Sequence, residues 1–549
     1  MADPFLQNHR LLLSTLSPVH IGCGVDYQPT HYLMDEGLLY AFDPVAALAP
    51  DAEARAELLE IVSQPQGDVV RAIQRYFRKR KETLIPRHTR RVPVGIGVQA
   101  FYDERIGNQA KPNQLHIERM AHSPINEQIV LPGSSLKGAL RTALLDGVHG
   151  GAALVNPKDA ENTRTSWKEL APIPHTLGAV LPPQFERDPM RLIRVGDTRL
   201  QREESHNEIL FAVNRKPSGE AGKGPYQTLE CLSPLTLESF VADIAFLNLE
   251  QAREYDKHAD KKGLPPENHR WNAAAVVQAC NTYYRAHLQR ELTELEGMLD
   301  PQWARTIRDS LESGSLGRLL DRGRAFLLRI GRHSGAESVT LNGARHIKIM
   351  QGPRNPPSWG NRATTVWMAA RETNQLRDLL PFGWLLAEWD EEGRSPLAQR
   401  APELAVLAQG FALDRTKALD ASDARLVRLR EQDAAKRREE AQRQAELARQ
   451  AAENRQREEQ RARMTPNQHA LDRLKGLLAQ EEGRQTVGGL LWMETNRLVS
   501  DAEKGGWSRE EIQELSLVCR TELPGKLKNA DKKVKEMHLR LDNLRSTDS

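Results

Sequence analysis

Cysteine is scarce in this chain, and the few cysteines lie far apart. Of 549 residues only four are cysteine (Cys23, Cys231, Cys280 and Cys519), and no two of them form a CxxC pair. Zinc ribbons, thioredoxin-like redox motifs and disulfide frameworks all depend on paired cysteines. The sequence therefore argues against these three classes and favours a reducing, cytoplasmic environment.

Long hydrophobic runs and an excess of one charge are also missing. No apolar run approaches the roughly 18 residues of a membrane span, so we expect no membrane association. The first six residues, MADPFL, carry no basic segment ahead of an apolar core, so we expect no signal peptide. With 77 Lys+Arg against 74 Asp+Glu the net charge is only +3, and any nucleic-acid-binding surface must be local.

Familiar catalytic and metal-binding signatures are absent as well. The sequence contains no HExxH, HxxxH or GxSxG. Gly133 and Gly138 have the glycine spacing of a Walker A loop, but Ala139 stands where its lysine should be. We therefore expect no catalytic residue, no metal and no cofactor. Asp26 and Asp35, near the first glycine-rich turn, keep open the alternative of a metal-dependent ribonuclease.

The chain contains short strands and helices in an order typical of an α+β fold rather than a doubly wound sheet. Asp35-Glu36-Gly37 joins two apolar runs, at 30–34 and 38–42, and predicts a hairpin. Apolar periodicity predicts helices at 67–82 and 135–147. Further strands are expected around 115–120, 128–131, 191–195, 236–245, 326–330, 345–350 and 364–369, and helices around 270–297, 300–312 and 316–324. The segments 84–131 and 151–225 lack a helical period and are interpreted as insertions.

The composition changes after about residue 390. Between Ala421 and Met464 there is no Gly or Pro, and 12 Lys/Arg, 9 Asp/Glu and 10 Ala make up most of the 44 residues. Apolar a and d positions are missing, whereas i,i+4 charge pairs such as Asp433/Arg437 are present. We predict a linker and solvated single helix over 391–464, the charged part up to about 66 Å long. Capping boxes at Thr465 and Ser508 then predict a small helical bundle over 465–549.

Two glycine-containing segments are candidate phosphate sites. In Leu131–Arg141 a strand ends at a glycine turn and a helix begins with Ser134 and Ser135, so free backbone N–H groups and the positive end of the helix dipole meet. Lys137 and Arg141, spaced i,i+4, can follow one phosphate backbone. The run Gly331–Gly335 would expose further N–H groups beside Arg332. A third candidate is 71–91, where nine Lys/Arg face one acid.

Three segments, in this order, resemble the RAMP proteins of CRISPR effector complexes. They are Leu13–Gly24 with the hairpin that ends at Phe42-Asp43-Pro44, Leu131–Arg141, and Leu328–Thr340. The runs DPMRLIRVGD (188–197) and PFGW (381–384) narrow the resemblance to the subunit-five family of type III-A (Csm) complexes. It covers roughly residues 9 to 390. Two departures stand out: Gly331–Gly335 is not a full GxGxxG loop, and Gly196 stands where serine is expected.

The resemblance implies an RRM-like (ferredoxin-like) RAMP core over 1–390, with the insertions at about 84–131 and 151–225. It implies a non-catalytic backbone and capping subunit that binds the guide RNA backbone towards its 3′ end and supports guide maturation and target RNA binding. The implied partners are CRISPR guide RNA, complementary target RNA and other effector subunits, especially the adjacent backbone RAMP subunit. The implied RNA-binding residues, in one continuous cradle, are His20, Gly22, Gly133, Ser134, Ser135, Lys137, Arg141, Arg194, Gly331, Arg332, His333, Ser334, Gly335 and Arg345.

The chain from residue 411 onwards lies outside the family's usual pattern. Its last helices vaguely resemble the helical small subunit of these complexes, and a plain helical docking module is the alternative. A structural scaffold that tethers partners through these helices remains a second alternative function, beside the metal-dependent ribonuclease.

Overall fold

The computed structural model describes residues 6–63, 68–108, 110–111, 114–151, 188–201, 206–222, 224–248, 265, 267–343, 345, 347–351, 356–528 and 531–546. The chain divides into two compact units, Met1–Glu431 and Gln432–Ser549. Within the described ranges, none of the helices combines the length and hydropathy of a membrane span.

The first sheet is built around the strand nearest the amino end. Its strands, in spatial order, are Ala325–Arg329, Trp384–Trp389, Leu6–Thr15, Phe240–Leu247 and Ile193–Val195, and Arg199–Leu200 also pairs with Phe240–Leu247. All of these pairings are antiparallel. Residues 11–15 of the central strand are all buried, as expected for a strand that is covered on both faces.

A second sheet and two smaller sheets complete the strands of the first unit. The second sheet has the order Leu380–Pro381, Val366–Ala370, Asn207–Arg215, Gln227–Leu232, Ile117–Met120 and Gly22–Tyr27. Tyr32–Asp35, Leu38–Ala41 and Arg90–Pro93 form a three-stranded sheet, and Ile347–Ile349 pairs with Ser358–Gly360. The predicted hairpin around Gly37 is confirmed, and Gly37 has the positive φ (78°) that such a turn favours.

Helices lie on and around these sheets. The α-helices of the first unit are Pro44–Leu48, Ala52–Ser63, Val69–Lys79, Lys81–Leu84, Ile96–Arg105, Gly133–His149, Ala273–Glu294, Pro301–Glu312, Ser315–Asp321, Leu397–Arg400 and the start of Pro402–Arg463. Short 3₁₀ turns occur at Ile85–Arg87, Pro189–Leu192, Glu267–His269 and Ala336–Val339. The helix Gly133–His149, here called the motif helix, packs against Ala273–Glu294, whose Tyr284 hydroxyl donates a hydrogen bond to Ala139 O at 3.0 Å.

Several local predictions were wrong. The segment 84–131 contains the helix Ile96–Arg105, and no strand forms at 128–131, where Ile129 makes only an isolated bridge to His122. The segment 151–225, interpreted as an insertion, contains the nine-residue strand Asn207–Arg215, which pairs with two strands of the second sheet. Residues 152–187 of that insertion lie outside the described residues. In the helix predicted at 67–82, Val70 is exposed whereas Gln74 is buried.

The long helix Pro402–Arg463 is solvated only in its second part. Leu404 and Leu407 belong to the main core, and Leu426 and Leu429 are buried in a smaller cluster. That cluster also contains Leu38, Tyr40 and Ile85. From residue 431 to 463 every residue except Asp433 is exposed, and Asp433 forms the predicted ion pair with Arg437 at 2.9 Å. The start of the charged tract is therefore part of the first unit, because its leucines recur on one face.

The second unit is helical, as predicted. It contains the end of the long helix and the helices Pro466–Gln480, Leu490–Glu503, Arg509–Thr521, Leu523–Lys526 and Asp531–Ser546, with a two-residue parallel pair at Gln485–Thr486 and Leu527–Lys528. Both predicted capping boxes are present, Thr465 with Gln468 and Ser508 with Glu511. A separate hydrophobic core holds these helices together.

Candidate nucleic-acid interface

The motif helix begins against the edge of the first sheet. The N–H of Gly133 donates a hydrogen bond to Asp197 Oδ1 at 2.7 Å. A Cβ at Gly133 would lie 2.4 Å from Val195 O and 2.6 Å from Gly196 O. The two sequence runs 131–141 and 188–197 are therefore packed directly on each other, and only glycine fits at this contact.

The acidic cap changes what the start of the helix can bind. Because Asp197 occupies one of the free N–H groups and brings negative charge to the positive end of the dipole, it competes with a phosphate at this point. Ser134 remains exposed beside it, and Ser135 is half-buried. The predicted phosphate site at the first turn is thus partly occupied by the protein itself, and positive side chains one turn further along become more important.

A basic groove lies along that next turn of the motif helix. It has a volume of about 730 Å³, and its charged lining residues are Lys137, Arg141, Arg191, Arg194 and Asp188. Four cations therefore face one carboxylate. Asp188 accepts two hydrogen bonds from Arg141 Nη1, at 2.9 and 3.2 Å, so this carboxylate is already occupied.

Lys137 sits half-buried in the basic groove. Partial burial lowers the pKa of Lys137; Asp188 opposes that shift, and the neighbouring charges of Arg141 and Arg194 add to it. Within the ranges that the structure describes, Lys137 forms no ion pair. Its ammonium group is therefore placed among like charges, an arrangement that a phosphate anion would relieve.

The glycine loop, Gly331–Gly335, is packed against the loop that follows the first strand. The N–H of Arg332 donates to His20 O at 2.8 Å. Gly331 has a φ of 82°, and a Cβ there would lie 2.4 Å from His20 O. Gly22 lies close by, since a Cβ on it would be 3.4 Å from His20 Nε2. The structure thus brings His20, Gly22 and the glycine loop close together, and their contact with RNA stays a prediction.

The polar groups of the glycine loop are largely used within the protein. Arg332 forms an ion pair with Glu118, and Ser334 is buried. His333 adopts a φ of 64°, lies 2.8 Å from Gln227 Oε1 through Nε2, and stacks on Trp367 with 4.5 Å between the ring centroids. Burial lowers the pKa of His333 to about 4, and the charges of Arg332 and His20 contribute. The imidazole is therefore neutral at pH 7.

His20 and Arg345 also serve local structure. His20 Nδ1 lies 2.7 Å from Glu230 O, and burial is the main cause that lowers the pKa of His20. Arg345 donates to Thr340 Oγ1 at 2.9 Å and to Glu337 O at 3.1 Å. Arg345 therefore fixes the segment after the glycine loop.

The structure does not bring the basic groove and the glycine loop together. The start of the motif helix packs on Val195 and Gly196 at one edge of the first sheet, whereas the glycine loop follows Ala325–Arg329 at the opposite edge. Four strand spacings separate these edges, or about 19 Å. The two patches thus lie at different edges of one sheet, and the single continuous cradle stays a prediction.

The basic cluster 71–91 is mostly neutralised by acids from other segments. Its ion pairs are Arg71–Asp68, Arg78–Asp103, Arg80–Glu57, Lys81–Asp35, Arg90–Glu230 and Arg91–Asp423. The density of basic residues can be counted in the sequence, but the acids that the fold places beside them cannot. This cluster therefore stabilises the fold instead of presenting a free positive surface.

The two acids of the ribonuclease alternative lie in different surroundings. Asp35 accepts from Lys81 Nζ at 2.9 Å and from Arg425 Nη1 at 2.6 Å, so it ties the hairpin to the long helix. Asp26 lies on the strand Gly22–Tyr27 opposite Glu118. In the part of the chain that the structure describes, no group of three or more His, Cys, Asp or Glu side chains could hold a metal ion.

One cavity beside the glycine loop is not predicted by the sequence. It lies between the end of the helix Ala273–Glu294 and the strand Val366–Ala370, and His287, Arg290, Glu291 and Glu294 line it. Their spacing of three, four and seven residues puts them on one face of the helix. This polar stripe is visible in the sequence. The strand that closes the cavity is far away in sequence, which is why the stripe alone gave no site.

One segment of this chain matches a known protein family. Residues 12–217 match the model of the RAMP superfamily. This segment includes the end of the first strand, the hairpin and the motif helix. No curated protein sequence matches the chain.

Two solved structures resemble the chain more loosely. One is titled the cryo-EM structure of a Csm–crRNA–target RNA ternary complex of the type III-A CRISPR-Cas system: 17% identity, TM-score 0.44, covering 70% of this chain and all of that one. The other is the crystal structure of T. onnurineus Csm5: 17% identity, TM-score 0.40, covering 69% of this chain and 99% of that one.

Proposed function

We propose that this chain, whose residues 12–217 match the RAMP superfamily model, is a non-catalytic backbone and capping subunit of a type III-A (Csm) CRISPR ribonucleoprotein. In this proposal it binds the backbone of the guide RNA towards its 3′ end and supports guide maturation and target RNA binding. Its partners are the guide RNA, the target RNA and the other effector subunits, above all the adjacent backbone RAMP subunit. The core would be RRM-like, and the complex cytoplasmic.

The basic groove is the observation that carries the proposal. Lys137, Arg141 and Arg194 come from two sequence runs that also carry the resemblance to RAMP proteins, and they meet around one carboxylate that is already paired. Phosphate contacts of this kind fix the position of a strand without reading its bases, and in a guided complex base pairing reads the sequence. A groove of cations on a RAMP segment therefore fits a subunit that holds a guide backbone.

Binding to the groove should be strongly salt-dependent. Each phosphate neutralised on a single strand contributes about 0.7 to the slope of log K against log salt. The double variant Lys137→Ala/Arg194→Ala should therefore lower that slope by about 1.4, measured by fluorescence anisotropy of a labelled single-stranded RNA on the full-length chain at several salt concentrations. Arg141 is left intact because its removal would also expose Asp188.

A matched control removes the same charge elsewhere. Arg305 and Arg322 are exposed and lie outside the groove, so Arg305→Ala/Arg322→Ala should leave the slope unchanged. An unchanged slope in the Lys137→Ala/Arg194→Ala variant would contradict the proposed strand contacts.

A further inference from the structure

The cavity beside the glycine loop is large enough for a small ligand. Its volume is about 560 Å³, within the range of roughly 300–1,000 Å³ that is typical of ligand pockets. One wall is the end of the helix Ala273–Glu294, and the others are the segment 333–337 and the strand Val366–Ala370. Leu295, Val366 and Trp367 supply apolar surface, so the cavity is not simply a cluster of charges.

The carboxylates that line this cavity already have partners within the protein. Glu291 accepts from Arg329 and from Trp384 Nε1, both at 2.8 Å; Glu294 pairs with Arg362 at 2.7 Å; Glu337 accepts from the N–H of Ala363 at 2.7 Å. The negative charges of the lining are therefore offset, and they do not define a cation site.

Two basic side chains of the lining are not satisfied in this way. His287 is only 6% exposed, and its buried Nε2 has no hydrogen-bond partner among the atoms that the structure describes. Arg290 lies one turn further along the helix and forms no ion pair with any described residue. The spacing of three residues and the shared cavity lining put His287 and Arg290 on one face of the helix. Burial lowers the pKa of His287 to about 3, and the charge of Arg290 adds to the shift. A buried polar nitrogen without a partner is costly, and a ligand that hydrogen-bonds to it would remove that cost.

An aromatic side chain completes the lining. Trp367 is half-buried and stacks with His333 at 28° between the ring planes. The base of a nucleotide packs well on such flat aromatic surfaces, which contribute about 1–3 kcal/mol per base in single-strand binding. A neutral imidazole can donate or accept according to its tautomer, so it can pair with the edge of a base.

We propose that this cavity binds one nucleotide, with its base on the Trp367 side, a hydrogen bond from the base edge to His287 Nε2, and its phosphate at Arg290. The proposal rests on the proposed function in one respect: the nucleotide is taken as a unit of the bound RNA strand. A free nucleotide would present the same nucleoside phosphate to the cavity. The experiment must therefore distinguish a free nucleotide from a nucleotide of the RNA strand.

The test uses two variants of the full-length chain and one control. Arg290→Ala removes the cation, and His287→Phe keeps a ring while it removes the polar nitrogen; Arg305→Ala removes an exposed arginine outside the cavity. Binding of a labelled single-stranded RNA and of each ribonucleoside 5′-monophosphate is measured, together with photo-crosslinking of RNA that carries 4-thiouridine. We expect a tenfold loss of strand affinity in Arg290→Ala, about 1.4 kcal/mol, and crosslinks to the strand Val366–Ala370. In His287→Phe we also expect reduced discrimination among the four bases.

The outcomes separate this site from the proposed function. If the strand binds in a Lys137-dependent manner but both cavity variants behave like Arg305→Ala, the cavity proposal is overturned and the proposed function stands. If monophosphates bind with the same Arg290 dependence while the strand does not bind, the cavity is a free-nucleotide site and the proposed function fails. If neither ligand binds, both are overturned.

Discussion

The basic groove and the glycine loop both contain segments that the sequence offered as phosphate sites, 131–141 as the stronger candidate, yet the fold treats them differently. Both combine glycine with basic residues at the end of a strand. In the groove Lys137 stays among like charges, with the one nearby carboxylate already paired to Arg141. In the glycine loop Arg332 is paired with Glu118, and His333 is stacked on Trp367.

The difference shows what a short motif specifies. Glycine spacing determines the backbone conformation and the close approach of a neighbouring segment, and both sites achieve that approach. Whether the basic side chain beside the glycine stays available depends on acids that are remote in sequence, such as Glu118. We therefore expect variants of the loop to affect folding first and variants of the groove to affect RNA binding first.

The largest expected effect is on the stability of the glycine loop. Gly331→Ala places a Cβ 2.4 Å from His20 O at a φ of 82°. Backbone strain and the clash together should reduce the free energy of unfolding by about 2–4 kcal/mol. Thermal unfolding of the full-length chain, followed by circular dichroism, would show a lower midpoint for the transition of the first unit.

A matched glycine in the groove should behave in the opposite way. Gly138 lies in the motif helix, and a Cβ there would meet nothing within 4 Å. Gly138→Ala should stabilise the helix by up to about 1 kcal/mol because alanine has the higher helix propensity. Equal destabilisation by both substitutions would remove the distinction between the two sites.

The sequence predicted those parts of the fold and site that depend on local pattern. The motif helix, the hairpin at Gly37 and the capping boxes at Thr465 and Ser508 carry their signals within a few residues, and all are present. The acidic cap of Asp197 on Gly133 could not be predicted, because 64 residues separate the two.

Charge pairing and burial of the charged tract were missed for the same reason. Arg425 lies in the tract predicted to be a solvated helix, yet it binds Asp35 of the distant hairpin. Neither the cavity at His287 nor the separation of the two glycine sites follows from spacing, since both depend on the order of strands in the sheets.

Lowering the pH should destabilise the chain, by less than Gly331→Ala does. Burial places the pKa of His333 at about 4 in the folded chain, below the usual 6.5. Between these values the unfolded chain binds the proton and the folded chain does not, so stability falls as the pH decreases from 6.5 towards 4. Between pH 7.5 and pH 5 we expect the titration of His333 to lower the free energy of unfolding by on the order of 1–2 kcal/mol. Urea unfolding at the two pH values measures this difference.

His333→Asn provides the comparison for this pH effect. Asparagine tolerates a positive φ and does not titrate, so this variant should lose less stability between pH 7.5 and pH 5 than the parent chain. A pH dependence identical to that of the parent would contradict the assignment to His333.

The smallest effect is expected from the arginine of the loop. Lys137→Ala should lower the salt slope of RNA binding by about 0.7, as one lost phosphate contact. Arg332→Ala should lower it by less than half as much, because Glu118 already neutralises that guanidinium. Glu118→Gln, measured by the same anisotropy titration, should release Arg332 and raise the slope, and combining it with Arg332→Ala should abolish the gain. If Arg332→Ala alone matched Lys137→Ala, the glycine loop would be as open to phosphate as the groove, and the contrast between the two sites would have to be abandoned.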